Sequence, residues 1–414
     1  MTLNHQLLDK IIGILLFIFP AMFILVNKGG DILLLIMLVI HIIYLAVNRR
    51  DKFPYSSEEK ILFLVISLYL GLQLLNNFFV GSKALESDGI TLFIMLLPLF
   101  HHIRRSVIDR KYIIYGVLAG AVACFIMAIY QKYMLGIPRV SGFFKIIAFG
   151  WISMTMSLMC LWAAILSESK KLCLLMVGGF ILACIASLLS GSRGPWLSII
   201  SCLVFLLLFN PKSWGIKKKV IITLSSLILI SASYFAMPEV QQRVSQATSG
   251  IDSYFSSGVV NNSVGLRLEV WRAALISIGE KPWEGIGSEN FDEMIAELSI
   301  RGEIDPIMSS NISHVHNEYL TAALHRGIPG LATLLLIYLV PFYVFVRHYR
   351  SASADDQMLL GYGMIMIVSS MTVSMTDLFF QHHRESLFFV FYIFVIYGLA
   401  LPRSKSKTTE QALA

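Results

Sequence analysis

Lys170-Lys171-Leu172-Cys173-Leu174-Leu175-Met176-Val177-Gly178-Gly179-Phe180-Ile181-Leu182-Ala183-Cys184-Ile185-Ala186-Ser187-Leu188-Leu189-Ser190 decides the fold. After the two lysines the run carries no charge until Arg193, in the small-residue turn Gly191-Ser192-Arg193-Gly194-Pro195-Trp196. A strand of a membrane barrel alternates apolar and polar positions in pieces of about ten residues. A run continuously apolar for this length reads instead as a helix, and about 20 such residues cross a bilayer.

Outward from this stretch the pattern repeats. Apolar runs occupy 11–26, 32–47, 61–80, 90–103, 112–134, 146–166, 172–190, 196–209, 220–237, 328–346, 358–380 and 387–401, with 90–103 and 196–209 the shortest. Of 414 residues, 56% are hydrophobic and only 14% charged, with a mean hydropathy of +0.72. A water-soluble domain of this composition would expose a vast apolar surface. The sequence therefore predicts an all-α, polytopic membrane protein with about 12 transmembrane helices. Spans one to nine fill 1–237, a large outward helical loop or cap fills 238–327, the last three spans fill 328–402, and 403–414 is a tail. No second globular domain fits, and no internal repeat at solenoid spacing is present.

Lysine and arginine fix the orientation. Arg49, Arg50, Lys52 and Lys60 share one set of connections with Arg104, Arg105, Arg110, Lys111, Lys170 and Lys171, and the set continues with Lys212, Lys217 to Lys219, Arg347 and Arg350. The tail adds Arg403, Lys405 and Lys407, while the alternate connections carry isolated cations such as Lys28, Lys83 and Arg193. Both termini are expected in the cytoplasm, and 238–327 outside, in the periplasm where the cell has one. The formal charge of +7 is thus a topology signal and not a nucleic-acid footprint. Lys10 precedes the first apolar run and no small-residue cleavage site follows it, which reads as a retained span and not a signal peptide. Cys124, Cys160, Cys173, Cys184 and Cys202 all fall in or beside apolar runs, so no disulfide framework is expected.

Three outward groups carry the chemistry, because charge left near a membrane is costly and needs a reason. In Ser190 to Trp196, small residues around Arg193 let a large anion reach both the guanidinium and the backbone amides, and the next helix offers its N-terminus. The competing reading is an interfacial Arg beside an aromatic-belt Trp. In Val264 to Arg272, Leu268, Trp271, Leu275 and Ile278 at helical spacing predict an amphipathic helix that carries Arg267 and Arg272. The Gly-rich Lys281-Pro282-Trp283-Glu284-Gly285-Ile286-Gly287 that follows brings backbone close to a ligand or another helix. Ordinary solvated charge is the plainer reading, and it suits Arg272 better. The third group is His314-Val315-His316-Asn317-Glu318-Tyr319-Leu320, leading to His325-Arg326-Gly327-Ile328-Pro329-Gly330. Asn317 suits a helix cap and Glu318 its dipole, which leaves the histidines unexplained. Zinc-binding helical pairs are spaced by four, and here the spacing is two, so no metal is expected. Two guanidinium groups and a titratable imidazole suit a reaction that expels a diphosphate and deprotonates a hydroxyl.

These groups, in this order between spans, resemble the O-antigen ligase and polymerase superfamily. The resemblance rests on Ser192-Arg193-Gly194-Pro195-Trp196, on Arg267 to Trp271 with Pro282 to Phe291, and on His316-Asn317 to Leu320 with Gly327 to Leu331, across 188–345. It implies an enzyme of lipopolysaccharide assembly in the bacterial inner membrane, working on the periplasmic face. The donor would be a glycan on undecaprenyl diphosphate and the acceptor lipid A–core, joined by metal-independent, inverting transfer without nucleotide sugar, ATP or other cofactor. Carried over, His316, Arg193 and Arg267 are the catalytic residues. Arg193 and Arg267 bind the diphosphate, His316 activates the acceptor hydroxyl, and Arg272, His314 and Asn317 are further substrate-binding candidates.

Other readings stay open. Glu86-Ser87-Asp88 has the form used by metal-dependent membrane glycosyltransferases, although Gly89 marks it as a simple turn pair. An O-antigen polymerase or a protein O-oligosaccharyltransferase would share the motifs. A lipid or glycan transporter would need ionisable residues at mid-span and two related halves, and only His41 fits. Asp377, near the outer end of the eleventh run, is expected to pair with Arg384 or His382. Glycan selectivity and oligomeric state have no short motif.

Overall fold

The computed structural model describes residues 5–47, 55–80, 87–208, 238–258, 260–308 and 312–401. Among them no strand occurs, as a chain of continuous apolar runs requires. The helices are α1 (His5–Leu25), α2 (Gly29–Val47), α3 (Ser57–Val80), α4 (Ser87–Arg105), α5 (Lys111–Ile129), α6 (Ile146–Leu166), α7 (Lys170–Ser190), α8 (Gly194–Leu208), α9 (Pro238–Ser257), α10 (Gly265–Glu280), α11 (Phe291–Ile300), α12 (Glu318–Tyr349), α13 (Ala354–Val373) and α14 (His383–Ala400). Six of them are long and apolar enough to cross a membrane: α1, α5, α6, α7, α12 and α14; α2 and α8 are apolar but shorter. The apolar run 220–237, the turn acid Glu86 and the tail 403–414 lie outside the described residues.

The bundle sorts its helices by how much of each is buried. In α14 and α6, 89% and 83% of the apolar window is buried, against 39% in α1 and 33% in α7, so the first two form the centre and the others turn a face outward. That outward face is apolar. Ile32, Leu35, Ile36, Val39, Ile42 and Ile43 stand exposed along α2 at helical spacing, a surface that lipid and not water solvates. Between α1 and α5 the backbones approach closely because Gly120 stands where a Cβ would lie 2.7 Å from Pro20 Cβ, the small-residue packing typical of membrane helices.

One cluster of polar groups inside the bundle is internally matched. Ser56 and Glu59 form a capping box at the start of α3, Ser56 N donating to Glu59 Oε2 at 2.6 Å and Glu59 N to Ser56 Oγ at 3.2 Å. The same buried Glu59 pairs with the buried Arg104 of α4, whose Nη1 donates to Leu401 O at 3.0 Å. His41 lies 3.5 Å from His102, Nδ1 to Nδ1. This cluster ties α2, α3, α4 and the end of α14 together.

The segment expected to lie outside builds a second, smaller core. Val270, Ala274, Phe291, Ile295, Leu298 and Val315 pack with one another, apart from the main cluster. The amphipathic helix expected around Leu268 to Ile278 is α10, and α11 follows it. The helices of the last three expected spans do not coincide with their apolar runs. α12 starts at Glu318, ten residues before the run at 328, and kinks where Arg326 and Gly327 leave helical dihedrals. α13 stops at Val373, so the run 358–380 is not one helix. Ser374 N already bonds to Ser370 O and Thr376 N to Val373 O, the chain turns, and Phe379 packs edge-on against Trp151. Apolar residues continue past the helix because they face the core, not because they lengthen the span.

Candidate active site

Four connections and one cap helix meet at one end of the bundle, around a cavity of about 590 Å³. The first connection leaves α5 through a π-helical turn, Tyr130–Met134. There the buried Gln131 accepts from Ser141 N and Gly142 N and donates to Gly142 O, which fixes the loop that carries Arg139 and Lys145 into the cavity. The second is the turn from α7 to α8. Gly191 caps α7 in the left-handed region (φ 64°), Arg139 donates to the carbonyls of Ser190 and Gly191 at 3.2 Å, and Arg193 then faces the cavity just ahead of α8.

The third connection leads into α12. Its buried Val315 sits in the cap core, and Trp271 of α10 donates from Nε1 to Val315 O at 3.0 Å. Arg267 is one turn before Trp271, so one helix face pins the histidine segment and also turns Arg267 toward the cavity. His316 follows in the left-handed region (φ 54°), an uncommon conformation for a residue with a side chain. Asn317 then caps α12, its side chain accepting from Tyr319 N and Leu320 N. The fourth connection joins α13 to α14 and carries Thr376 and Asp377. It is stitched to the head of α12: Glu318 N donates to Ser374 O, Phe379 N to Glu318 Oε2 and Tyr319 Oη to Met371 O, each at 2.8 Å.

The cavity therefore gathers Arg193, Arg267, His314 and His316, four of the six residues that the sequence nominated. It does not gather the other two. Arg272 is exposed, lies 3.6 Å from Glu269 and lines a separate apolar groove with Phe255 and Leu275. Asn317 does not line the cavity, and its side-chain oxygen accepts from the helix cap amides. The Gly-rich segment meets a helix. Ile286 N and Gly287 N donate to the carbonyls of Leu324 and His325, and Ile328 N donates to Pro282 O. The α12 kink thus frees backbone that this segment pairs. Gly285 and Gly327 both have positive φ, and a Cβ on either would strike the backbone of the other segment.

Arg139, Lys145 and Asp377 were not nominated as site residues. Asp377 is the sole carboxylate among the described cavity residues. It does not pair with Arg384, which holds the Phe143 carbonyl and Asn27. Its Oδ1 stands 3.9 Å from His316 Nδ1, within ion-pair range and one short movement from a hydrogen bond. Burial pushes the Asp377 carboxyl up, but His316, the Leu378 amide and the charge at His382 outweigh it, and the net shift is downward. Lys145 Nζ lies 2.9 Å from His382 Nε2. Burial, and then the neighbouring imidazole, pull His314 down from 6.5 to about 4, so at neutral pH it is uncharged. Burial also draws Arg267 down while Asp377 pushes back, and guanidinium stays charged at neutral pH regardless.

Ligand atoms of His314, His316 and Asp377 all lie within 4.8 Å of one another, a set that a divalent cation can use. Against that, four cationic side chains share the cavity, and a cluster so charged favours an anion.

Residues 178–335 match the family model for O-antigen ligase. That segment holds Arg193, Arg267, His314 and His316, and the match supports the resemblance carried by the motifs. A Haemophilus influenzae protein described as uncharacterized is 28% identical over 384 residues, which cover 91% of this chain and 95% of that protein.

Proposed function

We propose that this chain, with its O-antigen ligase domain over 178–335, is an inner-membrane glycosyltransferase that moves a glycan from undecaprenyl diphosphate to lipid A–core on the periplasmic face. The observation that carries the reading is the convergence of Arg193, Arg267 and His316 on one cavity. A diphosphate ester needs its charge held as it leaves, and Arg does so bidentately without losing its proton. An attacking sugar hydroxyl needs a base, and a neutral imidazole supplies one.

In the proposed reaction the acceptor hydroxyl oxygen attacks the anomeric carbon from the side opposite the diphosphate. The bond from that carbon to the diphosphate oxygen breaks, and the configuration inverts. The hydroxyl proton passes to Nε2 of His316, while Asp377 on the Nδ1 side holds the ring's orientation and steadies the imidazolium. Arg193 and Arg267, with Arg139 and Lys145 behind them, receive the charge that builds on the departing lipid diphosphate. The cluster of cations does the work that a divalent ion does elsewhere, so transfer is metal-independent and uses no cofactor. His314, uncharged at neutral pH, is a neighbour of the base and not a second one.

The test is purified protein with undecaprenyl diphosphate-linked glycan and lipid A–core, read by gel shift of the core, with and without EDTA. A shifted core band that survives EDTA is the expected result. Lengthening of the lipid-linked glycan in place of a shifted core would make the chain a polymerase. Loss in EDTA with recovery in magnesium would assign the His314, His316 and Asp377 trio to a cation.

A further inference from the structure

A larger cavity, about 1040 Å³, opens at the other end of the bundle. The candidate spans in α1 and α5 start beside it, at Gln6 and Lys111, whereas the far end of α5 leads to Arg139 and Lys145. The 24 residues from Lys111 to Met134 set the two cavities roughly 36 Å apart at about 1.5 Å per residue.

The wall of this cavity changes character with depth. At the ends of the spans it presents Lys10, Arg105 and Lys111; further in come Phe17, Tyr112 and Tyr115. Phe17 is two turns along α1 from Lys10, and Tyr115 one turn along α5 from Lys111, so on each helix a cation and an aromatic ring share a face. Gly13 lies between Lys10 and Phe17, and a Cβ there would stand 2.5 Å from the Tyr112 ring, so the ring lies against the bare backbone and floors the cavity. Two carboxylates accompany the three cations, and each already accepts from a backbone amide: Asp9 from Val107 N and Asp109 from Lys111 N, both at 2.9 Å. Lys10 and Lys111 are exposed, and at the rim Val107 is 74% exposed.

We propose that this cavity binds one anionic phospholipid of the surrounding bilayer, its headgroup phosphate against Lys10, Arg105 and Lys111 and an acyl chain along Phe17, Tyr112 and Tyr115. Cations at the level where spans begin, above an apolar floor, match a molecule with a charged head and a greasy tail. Inorganic phosphate shares the head but has nothing to place on the aromatic floor. The assignment is independent of the reaction at the opposite end.

Detergent-purified full-length protein, stripped of lipid, tests it with phosphatidylglycerol, phosphatidylcholine and inorganic phosphate as separate probes. Bound lipid is counted by native mass spectrometry, and the unfolding midpoint is followed by tryptophan fluorescence. Phosphatidylglycerol is expected to stay bound and raise the midpoint, while the other two do neither. Lys10→Ala with Lys111→Ala is expected to weaken phosphatidylglycerol binding on the order of ten-fold or more, and Lys10→Arg with Lys111→Arg to retain it. Lys170→Ala with Lys171→Ala, at the same end but outside the cavity, is expected to bind as the parent does. Equal retention of phosphatidylcholine would overturn headgroup recognition. An equal response to inorganic phosphate would make this a free-anion site, and equal losses in the two alanine pairs would reduce it to diffuse surface attraction.

Discussion

Both ends of the bundle hold arginine away from bulk water, but they resolve its charge differently. Arg104 is fully buried, paired with the equally buried Glu59 and bonded to the Leu401 carbonyl. At the other end Arg139, Arg193, Arg267 and Lys145 line an open cavity whose described residues include one carboxylate, Asp377. The protein answers the first charge itself, whereas the second group has an excess of positive charge that an anion from outside would complete. Under the proposed function, a structural arginine and a working arginine are thus distinguished by where the counter-charge comes from, not by depth of burial.

The comparison breaks most sharply at His316. His316→Ala is expected to lower transfer by roughly 10²–10⁴-fold, with the protein still present in membranes by immunoblot; wild-type activity would remove the imidazole from the chemistry. Arg193→Ala and Arg267→Ala come next, with losses of about 10²–10³-fold expected from removing a group that stabilises developing charge. Arg193→Lys is expected to remain defective, because a point charge does not replace a bidentate fork. Arg272→Ala, outside the cavity, is expected to leave transfer within about two-fold, because its side chain is exposed and Glu269 keeps the Tyr254 hydroxyl and the Asp305 amide.

The other end is expected to respond in stability and not in chemistry. Arg104→Ala leaves Glu59 buried without its partner, a change that costs about 3–5 kcal/mol and is read as a lower unfolding midpoint with unchanged activity per folded molecule. Arg104→Met combined with Glu59→Gln is expected to recover part of that loss. A stable Arg104→Ala protein with no transfer would join the two ends functionally and undo the distinction. The smallest effect is expected at His314, whose proton affinity is lowered in the fold from 6.5 to about 4. Between those values the unfolded chain binds the extra proton, so stability falls as pH drops through that window. His314→Gln is expected to flatten this part of a plot of unfolding midpoint against pH and to leave the neutral region unchanged.

How much of this was legible in the sequence follows from the kind of signal each feature leaves. Continuous apolar runs announce helices, and α1, α5, α6, α7, α12 and α14 are long and apolar enough to cross a membrane. Arg193, Arg267, His314 and His316 were legible because an Arg among glycines, or a histidine pair beside a span, is out of keeping with its surroundings. Arg139 and Lys145 looked like ordinary connection cations. Gln131, acting on residues ten and eleven positions away, and Arg139, held by the Ser190 and Gly191 carbonyls, fix their loop at the cavity, and no periodicity records that. Asp377 was hidden inside an apolar run. Leu378, Phe379 and Phe380 kept the pattern going, while Glu318 from another part of the chain captured the Phe379 amide and held the turn. The role of Trp271 was visible as a spacing from Arg267, but its hydrogen bond to Val315 links two motifs that are far apart in sequence.

The seam between Pro282–Gly287 and Leu324–Ile328 has a practical consequence. A Cβ on Gly285 would strike the His325 backbone and one on Gly327 the Trp283 backbone, and three backbone hydrogen bonds cross it. The two segments are therefore expected to need the same parent in any hybrid. Grafts intended to change sugar preference should be cut so that 282–328 travels as one block, with diversity introduced on the outer surfaces of α9 to α11. A crossover inside the block would mismatch the lock that seats the cap and misaim Arg267 at its cavity.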